Sequence, residues 1–253
     1  SSTMVQRYSL AVFYYSTLGE QWTMKDGWLG SGSECSWYGM SCTDSQVSTI
    51  DLENNKIGGS LPPEIGELNS MTKIDVGQNV IGGSIPETIG KLTSLEKLLF
   101  YRNLMTGTIP KSVGDLPFLA FLSVHTNLLV GMLPEEIGNL NQLETLWASN
   151  NKLTGVIPDG IGNMTSLKNL YIENTTIGGT IPGSIGQLTN LNDIRVDKNR
   201  LSGNIPAEMS SLKGLTNLYL YDNALGGSLP DWIGDLTNLG WLWLNDNSFT
   251  GTV

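Results

Sequence analysis

The sequence is poor in the side chains that most enzymes and metalloproteins use. Its 253 residues include one histidine, His125, and two cysteines, Cys35 and Cys42. A protein zinc site draws three or four ligands mainly from these residue types. The sequence also contains no phosphate-binding glycine loop and no nucleophile elbow. We therefore predict that the protein is not an enzyme and has no catalytic residues, no metal site and no cofactor.

Basic residues and long apolar segments are scarce as well. There are 14 lysines and arginines against 24 aspartates and glutamates, which gives a formal net charge of -10. Nucleic acids and anionic membrane surfaces bind basic surfaces, so neither is an expected partner. No stretch approaches the roughly 18 consecutive apolar residues of a transmembrane helix. We expect no direct membrane insertion within this chain.

What the sequence contains instead is a repeat of 24 residues, marked in nearly every unit by an asparagine. Thr175 takes the place of the asparagine in one unit. Around this position the units follow the pattern L-x-x-L-x-L-x-x-N-x-L-x-G-x-I-P, as residues 143–158 illustrate. The repeated asparagines are Asn55, Asn79, Asn103, Asn127, Asn151, Asn199, Asn223 and Asn247.

Units of this kind bury their apolar residues only by stacking on their neighbours, so the repeat predicts a solenoid. We expect nine units over residues 47–253, the last one incomplete, in a right-handed α/β superhelix. Each unit would add one short strand to a parallel sheet on the concave side. We expect the asparagine amides to satisfy backbone groups in the turns that follow the strands.

Residues 1–46 precede the repeat and predict a helical cap for its first unit. Cys35 and Cys42 are separated by seven positions and have no other thiol to pair with, which indicates a disulfide and an oxidising compartment. Six apolar residues of residues 3–18 occur at helical spacing, and we expect this face to cover the first unit. They are Val5, Tyr8, Ala11, Val12, Tyr15 and Leu18.

Two further features agree with secretion. The glycosylation sequons Asn163-Met164-Thr165 and Asn174-Thr175-Thr176 are typical of secreted proteins. Ser1 is not an initiator methionine, which is compatible with removal of a signal peptide. Because Val253 ends the last unit before its proline, we expect the natural protein to continue or this end to pack on a partner.

The repeat and the cap resemble those of extracellular leucine-rich repeat proteins of the plant-specific type. The resemblance rests on G-x-I-P-x-x-I-G at residues 83–90 and 179–186 and on C-x-W-x-G-x-x-C at residues 35–42. Receptor-kinase ectodomains and polygalacturonase-inhibiting proteins share these motifs. The segments 19–22 (GEQW) and 27–29 (GWL) are more similar to caps of algal, diatom, other protist and bacterial proteins. The resemblance implies an extracellular protein that binds a ligand or another protein.

The strand residues between the inward leucines point to the solvent side of the sheet, and stacking aligns them in columns. Aromatic residues are concentrated in these columns, where a ligand can use their apolar faces and polar groups. We predict two ligand-binding subsites. Arg195, Asp197 and Lys198 lie between them, where their mixed charges either orient a polar or charged ligand group or form a solvated charge pair. The alternative is that the aromatic rings only stack along the sheet and cover one another. One subsite contains Tyr101, Phe121, His125, Trp147 and Tyr171, and the other contains Tyr219, Tyr221, Trp241 and Trp243.

The leading functional hypothesis is recognition of a peptide, glycan or protein on this aromatic face, for example by a receptor ectodomain. The alternative is a secreted cell-wall structural protein or enzyme inhibitor. A third hypothesis is ice binding by a column of small hydroxyl residues, but Met132, Val156 and Asn204 interrupt that column, which favours an ordinary second strand. The hydroxyl residues are Ser60, Ser84, Thr108, Thr180, Ser228 and Thr252.

Overall fold

The computed structural model describes residues 2–251, and these residues form a solenoid. The predicted end of the last unit at Val253 and the Thr252 hydroxyl lie outside the described residues. One α-helix, α1, spans Ser2–Ser16. The strands are β1 Met40–Thr43, β2 Gln46–Asp51, β3 Lys73–Asp75, β4 Lys97–Leu99, β5 Phe121–Ser123, β6 Val130–Gly131, β7 Thr145–Trp147, β8 Lys152–Leu153, β9 Asn169–Tyr171, β10 Gly178–Thr180, β11 Asp193–Arg195, β12 Arg200–Gly203, β13 Asn217–Tyr219, β14 Ala224–Ser228, β15 Trp241–Trp243 and β16 Ser248–Thr250.

Within the described residues, ten strands form one sheet in the order β1-β2-β3-β4-β5-β7-β9-β11-β13-β15. β1 belongs to the cap and pairs antiparallel with β2, whereas every later pairing in this sheet is parallel. The central residue of each strand is buried from Ile50 to Leu218. The parallel sheet and the solenoid predicted from the repeat are confirmed.

Short 3₁₀ helices on the other side of the solenoid follow the regularly spaced prolines of the repeat. A proline has a fixed φ that suits the start of a helical turn, and each of these helices is only five residues long. Two further 3₁₀ helices lie in the cap. The helices are Gly19–Gln21, Glu34–Ser36, Pro63–Glu67, Glu87–Lys91, Lys111–Asp115, Glu135–Asn139, Asp159–Asn163, Gly183–Gln187, Ala207–Ser211 and Asp231–Asp235.

A second set of short strands runs along the flank of the solenoid. β6 pairs with β8, and β10, β12, β14 and β16 form a separate parallel sheet. Met132 and Val156 are exposed on this flank between the hydroxyl residues Thr108 and Thr180. The interruption expected from the sequence is therefore present at the surface.

The asparagine ladder satisfies backbone groups of the turns, as predicted. Asn79 donates from Nδ2 to the carbonyl oxygens of Leu52, Val76 and Gly77 at 2.9–3.0 Å. Its Oδ1 accepts from the backbone N–H of Ile57 at 3.0 Å. Corresponding bonds recur at the other ladder asparagines, such as Asn151. Each asparagine thus ties its own turn to the preceding unit, and this keeps successive strands in register.

The cap helix is present, but the face predicted to be buried is wrong. Tyr8 and Tyr15, which belong to that face, are 60% and 65% exposed. Two buried polar residues have internal partners: Gln6 accepts from the backbone N–H of Val47 at 2.7 Å, and Thr17 donates to the carbonyl of Phe13. These bonds remove the penalty for burying polar groups. The buried face consists of Gln6, Ser9, Leu10, Phe13 and Tyr14, and buried Thr17 follows directly after the helix.

The buried helix face packs on an aromatic cluster that closes the first unit. Phe13 and Tyr14 contact Trp22 and Trp28, with ring centroids 5.1–6.2 Å apart. Trp28 in turn lies 4.9 Å from Trp37. The predicted disulfide between Cys35 and Cys42 is confirmed, and its two Cα atoms are 5.5 Å apart. It ties the helix Glu34–Ser36 to β1, the first strand of the sheet.

Candidate ligand-binding site

The outward side chains of β4 to β15 form the surface that we call the aromatic face. The register pairs Ser123 with Trp147, Trp147 with Tyr171, and Tyr171 with Arg195. It then pairs Arg195 with Tyr219 and Tyr219 with Trp243. The column expected from the period of 24 residues is therefore aligned without a break.

Four rings stack in a row at the first predicted subsite. The rings of Tyr101 and His125 are 5.2 Å apart and nearly parallel, and those of His125 and Trp147 are 3.9 Å apart. Trp147 then meets Tyr171 edge to face at 5.6 Å. Stacked and edge-to-face arrangements are both favourable for aromatic pairs. Phe121, the fifth predicted residue, is half-buried one strand away from Trp147.

The stacking covers part of each ring, so these side chains are less exposed to solvent than isolated surface side chains would be. His125 is only 7% exposed. Burial, with a smaller effect from the Arg102 charge, lowers the pKa of His125 to about 4. The imidazole is therefore neutral at physiological pH and serves as an apolar stacking partner. Tyr101, Trp147 and Tyr171 remain half-buried and keep an accessible edge.

Tyr101 is held at the N-terminal end of this row. Its hydroxyl donates to the Glu53 carboxylate at 2.5 Å, and Gln78 donates to the same oxygen. Its ring lies across Gly77, where a Cβ atom would be 2.4 Å from the ring. Burial raises the pKa of the Tyr101 hydroxyl, and the bond to Glu53 adds to this effect. The absence of a side chain at Gly77 thus allows the ring to take this position.

Arg195 joins the two predicted subsites. Its guanidinium carbon lies 4.9 Å from the ring centroid of Tyr171 and 5.1 Å from that of Tyr219, within the range of cation–π attraction. Nε and Nη2 of Arg195 donate to the two carboxylate oxygens of Asp193 at 3.1 and 2.9 Å. The sequence had suggested Asp197 as the neighbouring opposite charge. Asp193 is the partner because it lies two residues earlier on the same face of β11.

Asp197 and Glu173 instead lie side by side in the next column, where both are shielded. Burial raises the pKa of each carboxyl group. The neighbouring Tyr221 hydroxyl partly opposes this rise at Asp197, and burial followed by the interaction with Asp197 raises the pKa of Tyr221 to about 12. Lys198 lies beside the same ring, with Nζ 5.7 Å from its centroid. This region offers a half-buried phenol among charged groups.

The second predicted subsite is the most exposed part of the aromatic face. Trp243 lies 5.6 Å from Tyr219 and 5.5 Å from Tyr221. Trp241 and Trp243 are 59% and 44% exposed. Together with Arg195, these rings extend the row from Tyr101 to β15. The structure therefore brings all ten predicted residues onto one face, as one continuous row with Phe121 and Trp241 at its side.

Sequence reasoning missed a shallow pocket within this face. It has a volume of about 430 Å³ and lies over Ser123, between Tyr101 and Trp147. Gln78 and Arg102 form part of its rim. Both residues directly precede a ladder asparagine and have positive φ angles of 55° and 50°. That position recurs in every unit, so it could have been recognised from the sequence as a further outward column.

The other predicted groups are separate from the aromatic face or lie at its edge. Asn163 is exposed at the end of the helix Asp159–Asn163, and Asn174 is exposed in the turn after β9. Whether either sequon is glycosylated stays a prediction. Residues 2–251 contain no group of three or more His, Cys, Asp or Glu side chains placed to hold a metal ion. In the same range, no helix is long and apolar enough to cross a membrane.

Comparison with known proteins relates this chain to repeat proteins. The family described as Leucine Rich Repeat matches residues 46–68, 142–164, 166–188 and 214–236. The structure is similar to the LRR ectodomain of the plant membrane receptor kinase GASSHO1/SCHENGEN3 from Arabidopsis thaliana, solved in complex with CASPARIAN STRIP INTEGRITY FACTOR 2. The TM-score is 0.94 at 30% identity, and the alignment covers 98% of this chain and 30% of that one.

Two other solved structures are also similar. The LRR ectodomain of the Arabidopsis receptor kinase HAESA, in complex with an N-terminally extended IDA peptide hormone, aligns with a TM-score of 0.86 and 31% identity, covering 100% of this chain and 43% of that one. A plant ice-binding protein aligns with a TM-score of 0.77 and 23% identity, covering 99% of this chain and 88% of that one. The last likeness concerns the fold alone. The chain thus spans less than half of either receptor ectodomain.

Proposed function

Because this chain is built of leucine-rich repeats, we propose that it is an extracellular recognition module, without enzymatic activity, that binds an extended peptide along its aromatic face. The observation that carries the proposal is the continuous row of side chains from Tyr101 through Arg195 to Trp243. Exposed aromatic rings and an arginine are the side chains that most often dominate binding interfaces. Trp241 and Trp243 also leave apolar surface in solvent, and exposed apolar patches often mark interaction sites.

The length of the row supports a peptide. Six strand-to-strand steps separate β4 from β15, which corresponds to roughly 29 Å at the usual spacing of neighbouring strands. An extended peptide of about nine residues has this length. The face also carries charged groups, with Asp51 and Asp75 beside Lys73 at one end and the Arg195–Asp193 pair farther along. Charges at fixed positions favour partners with complementary charges.

An extracellular location is supported by the disulfide of the cap, because structural disulfides persist in oxidising compartments. The two receptor structures described above are ectodomains, and both contain a bound partner. A secreted inhibitor would use the same face to bind a protein enzyme. The two functions differ in what they need: a peptide ligand binds as a free short chain, whereas an inhibitor requires a folded partner.

The experiment is selection of a random peptide library displayed on phage against the purified chain. Dissociation constants of the selected peptides are then measured with Trp147→Ala and Trp243→Ala. We expect each variant to bind about 30-fold more weakly, which is about 2 kcal/mol. Thermal unfolding should change little, because both rings are partly exposed. Phe118→Ala is the matched control, since Phe118 is 61% exposed outside the aromatic face.

Unchanged affinity in both tryptophan variants would move the binding site to another surface. A library that yields no binder, combined with capture of a folded cell-wall enzyme by the same face, would favour the inhibitor.

A further inference from the structure

The last residues of strands β4 to β15 in the main sheet form one outward column, and one position of this column is occupied by a small residue. From β4 to β15 the column reads Leu99, Ser123, Trp147, Tyr171, Arg195, Tyr219 and Trp243. Every later member carries a planar group that contacts its neighbour in the column. Ser123 is the one small member, and the pocket described above lies beside it.

The Ser123 hydroxyl is buried without a partner. The residue is 2% exposed, and its Oγ has no hydrogen-bond partner among the described residues. Buried hydroxyl groups are normally hydrogen-bonded, because removing them from water is otherwise unfavourable. Ser123 lines the pocket, and its Oγ exposes less than 1 Å², so a bound group supplies the missing bond once the Ser123 side chain turns towards the pocket.

The walls of the pocket are apolar and held in place. Leu99 and Phe121 line one part, and Trp147 stacked on His125 forms another. The indole Nε1 of Trp147 donates to Ser149 Oγ at 2.7 Å, which fixes the orientation of this wall. Tyr101 is fixed in the same way by its bond to Glu53. A site whose walls are already ordered loses little freedom when a ligand binds.

The dimensions favour a planar group. Leu99 and Trp147 lie on strands two steps apart, which is roughly 9.6 Å at the usual strand spacing. One ring between them would contact both walls at about 3.5–4 Å, the optimal carbon–carbon separation. An aliphatic side chain would fill the space less completely and could not bond to Ser123.

We propose that the pocket over Ser123 binds an aromatic side chain with a hydrogen-bonding group, tyrosine or tryptophan, of the peptide ligand. This inference rests on the proposed function and names the residue class that its ligand must carry. The bound ring takes the place of the missing planar member of the column, and its hydroxyl or indole N–H pairs with Ser123 Oγ.

The test is an NMR titration of the ¹⁵N-labelled chain with N-acetyl-tyrosinamide, N-acetyl-tryptophanamide, N-acetyl-phenylalaninamide, N-acetyl-leucinamide and methyl glucoside. The indole N–H signal of Trp147 reports on the pocket, and that of Trp243 reports on the far end of the face. We expect saturable shifts of the Trp147 signal with a roughly millimolar dissociation constant for the tyrosine and tryptophan amides. The leucine amide and the glucoside should bind at least tenfold more weakly.

Two variants of Ser123 separate the contribution of the pocket space from that of the hydroxyl. Ser123→Phe fills the pocket, so the tyrosine amide should lose at least tenfold in affinity. Ser123→Ala keeps the space but removes the hydroxyl, so the affinities for the tyrosine and phenylalanine amides should become nearly equal. If the phenylalanine variant does not fold, the alanine variant still decides the role of the hydroxyl.

Several results would overturn the inference: no shift of the Trp147 signal, undiminished binding by Ser123→Phe, a preference for tyrosine that survives in Ser123→Ala, or stronger binding of the glucoside. Selected peptides that require Trp147 and Trp243 but tolerate Ser123→Phe would refute the pocket and leave the proposed function intact. Peptides that ignore both tryptophans would refute the proposed function itself.

Discussion

Replacing Thr175 with asparagine should stabilise the protein by completing the ladder. At the neighbouring position, Asn151 donates to the carbonyl oxygens of Val124, Ala148 and Ser149 and accepts from the N–H of Leu129. Shifted by one unit, an asparagine at position 175 would donate to Ala148, Ile172 and Glu173 and would accept from Leu153. Within its own unit the hydroxyl of Thr175 reaches Ile172 O at 3.3 Å and accepts from the backbone N–H of Ile177 at 3.4 Å.

The expected gain follows from counting these bonds. The asparagine adds two or three hydrogen bonds at about 1 kcal/mol each. The variant gives up the bond between the Thr175 hydroxyl and Asn199 Oδ1. The net increase in the free energy of unfolding should be about 1–2 kcal/mol. In a chain of this length that corresponds to a rise in Tm of roughly 2–6 °C.

Thermal unfolding followed by circular dichroism measures the change, and amide hydrogen exchange at Leu153 locates it. Asn127→Thr is the matched control with the opposite sign, because it removes the bonds that Asn127 makes to Phe100 O, Val124 O and Met105 N. A folded Thr175→Asn protein with an unchanged Tm and unchanged exchange at Leu153 would refute the reasoning. It would show that the threonine hydroxyl is an equal substitute in this turn.

Two further predictions concern the cap and the aromatic face. Replacing both Cys35 and Cys42 with alanine should lower the free energy of unfolding by about 2 kcal/mol, the size expected for a bridge that closes a short loop. Urea unfolding measures the free energy, and an unchanged urea midpoint would show that the bridge does not stabilise the cap. His125 should stay neutral in the folded protein from pH 8 down to about 5, because its pKa is lowered to about 4. Between about pH 6.5 and pH 4 only the unfolded chain takes up the proton, so the contribution of His125 to stability should fall as the pH drops through this range. Imidazole NMR shifts that titrate near pH 6.5 in the folded state would contradict the second prediction.

Much of the site could be predicted because the repeat contains no insertion. A constant period makes residue 147 the neighbour of residues 123 and 171, as the pairing of Trp147 with Ser123 and Tyr171 confirms. The columns, the ladder and the outward position of the aromatic residues all follow from that one number. The pairing of Cys35 with Cys42 needed only the absence of another thiol.

Other features depended on space and on partners far along the chain. The buried face of α1 depends on the cap tryptophans that receive Phe13 and Tyr14 and on Gln6, whose amide meets Val47 across 41 positions. The position of Tyr101 depends on Glu53, which is 48 positions away, and on the open space at Gly77.

The periodic sequence by itself determined which residues are neighbours and on which side of the sheet they lie, because stacking repeats one register. Only the tertiary structure decided where each side chain turns within its column. Trp147 donates to Ser149 and stacks on His125, and a pocket remains between it and Tyr101, beside Ser123. That direction results from the volume of several adjacent side chains and from a single hydrogen bond, and neither can be read from a spacing of 24 residues.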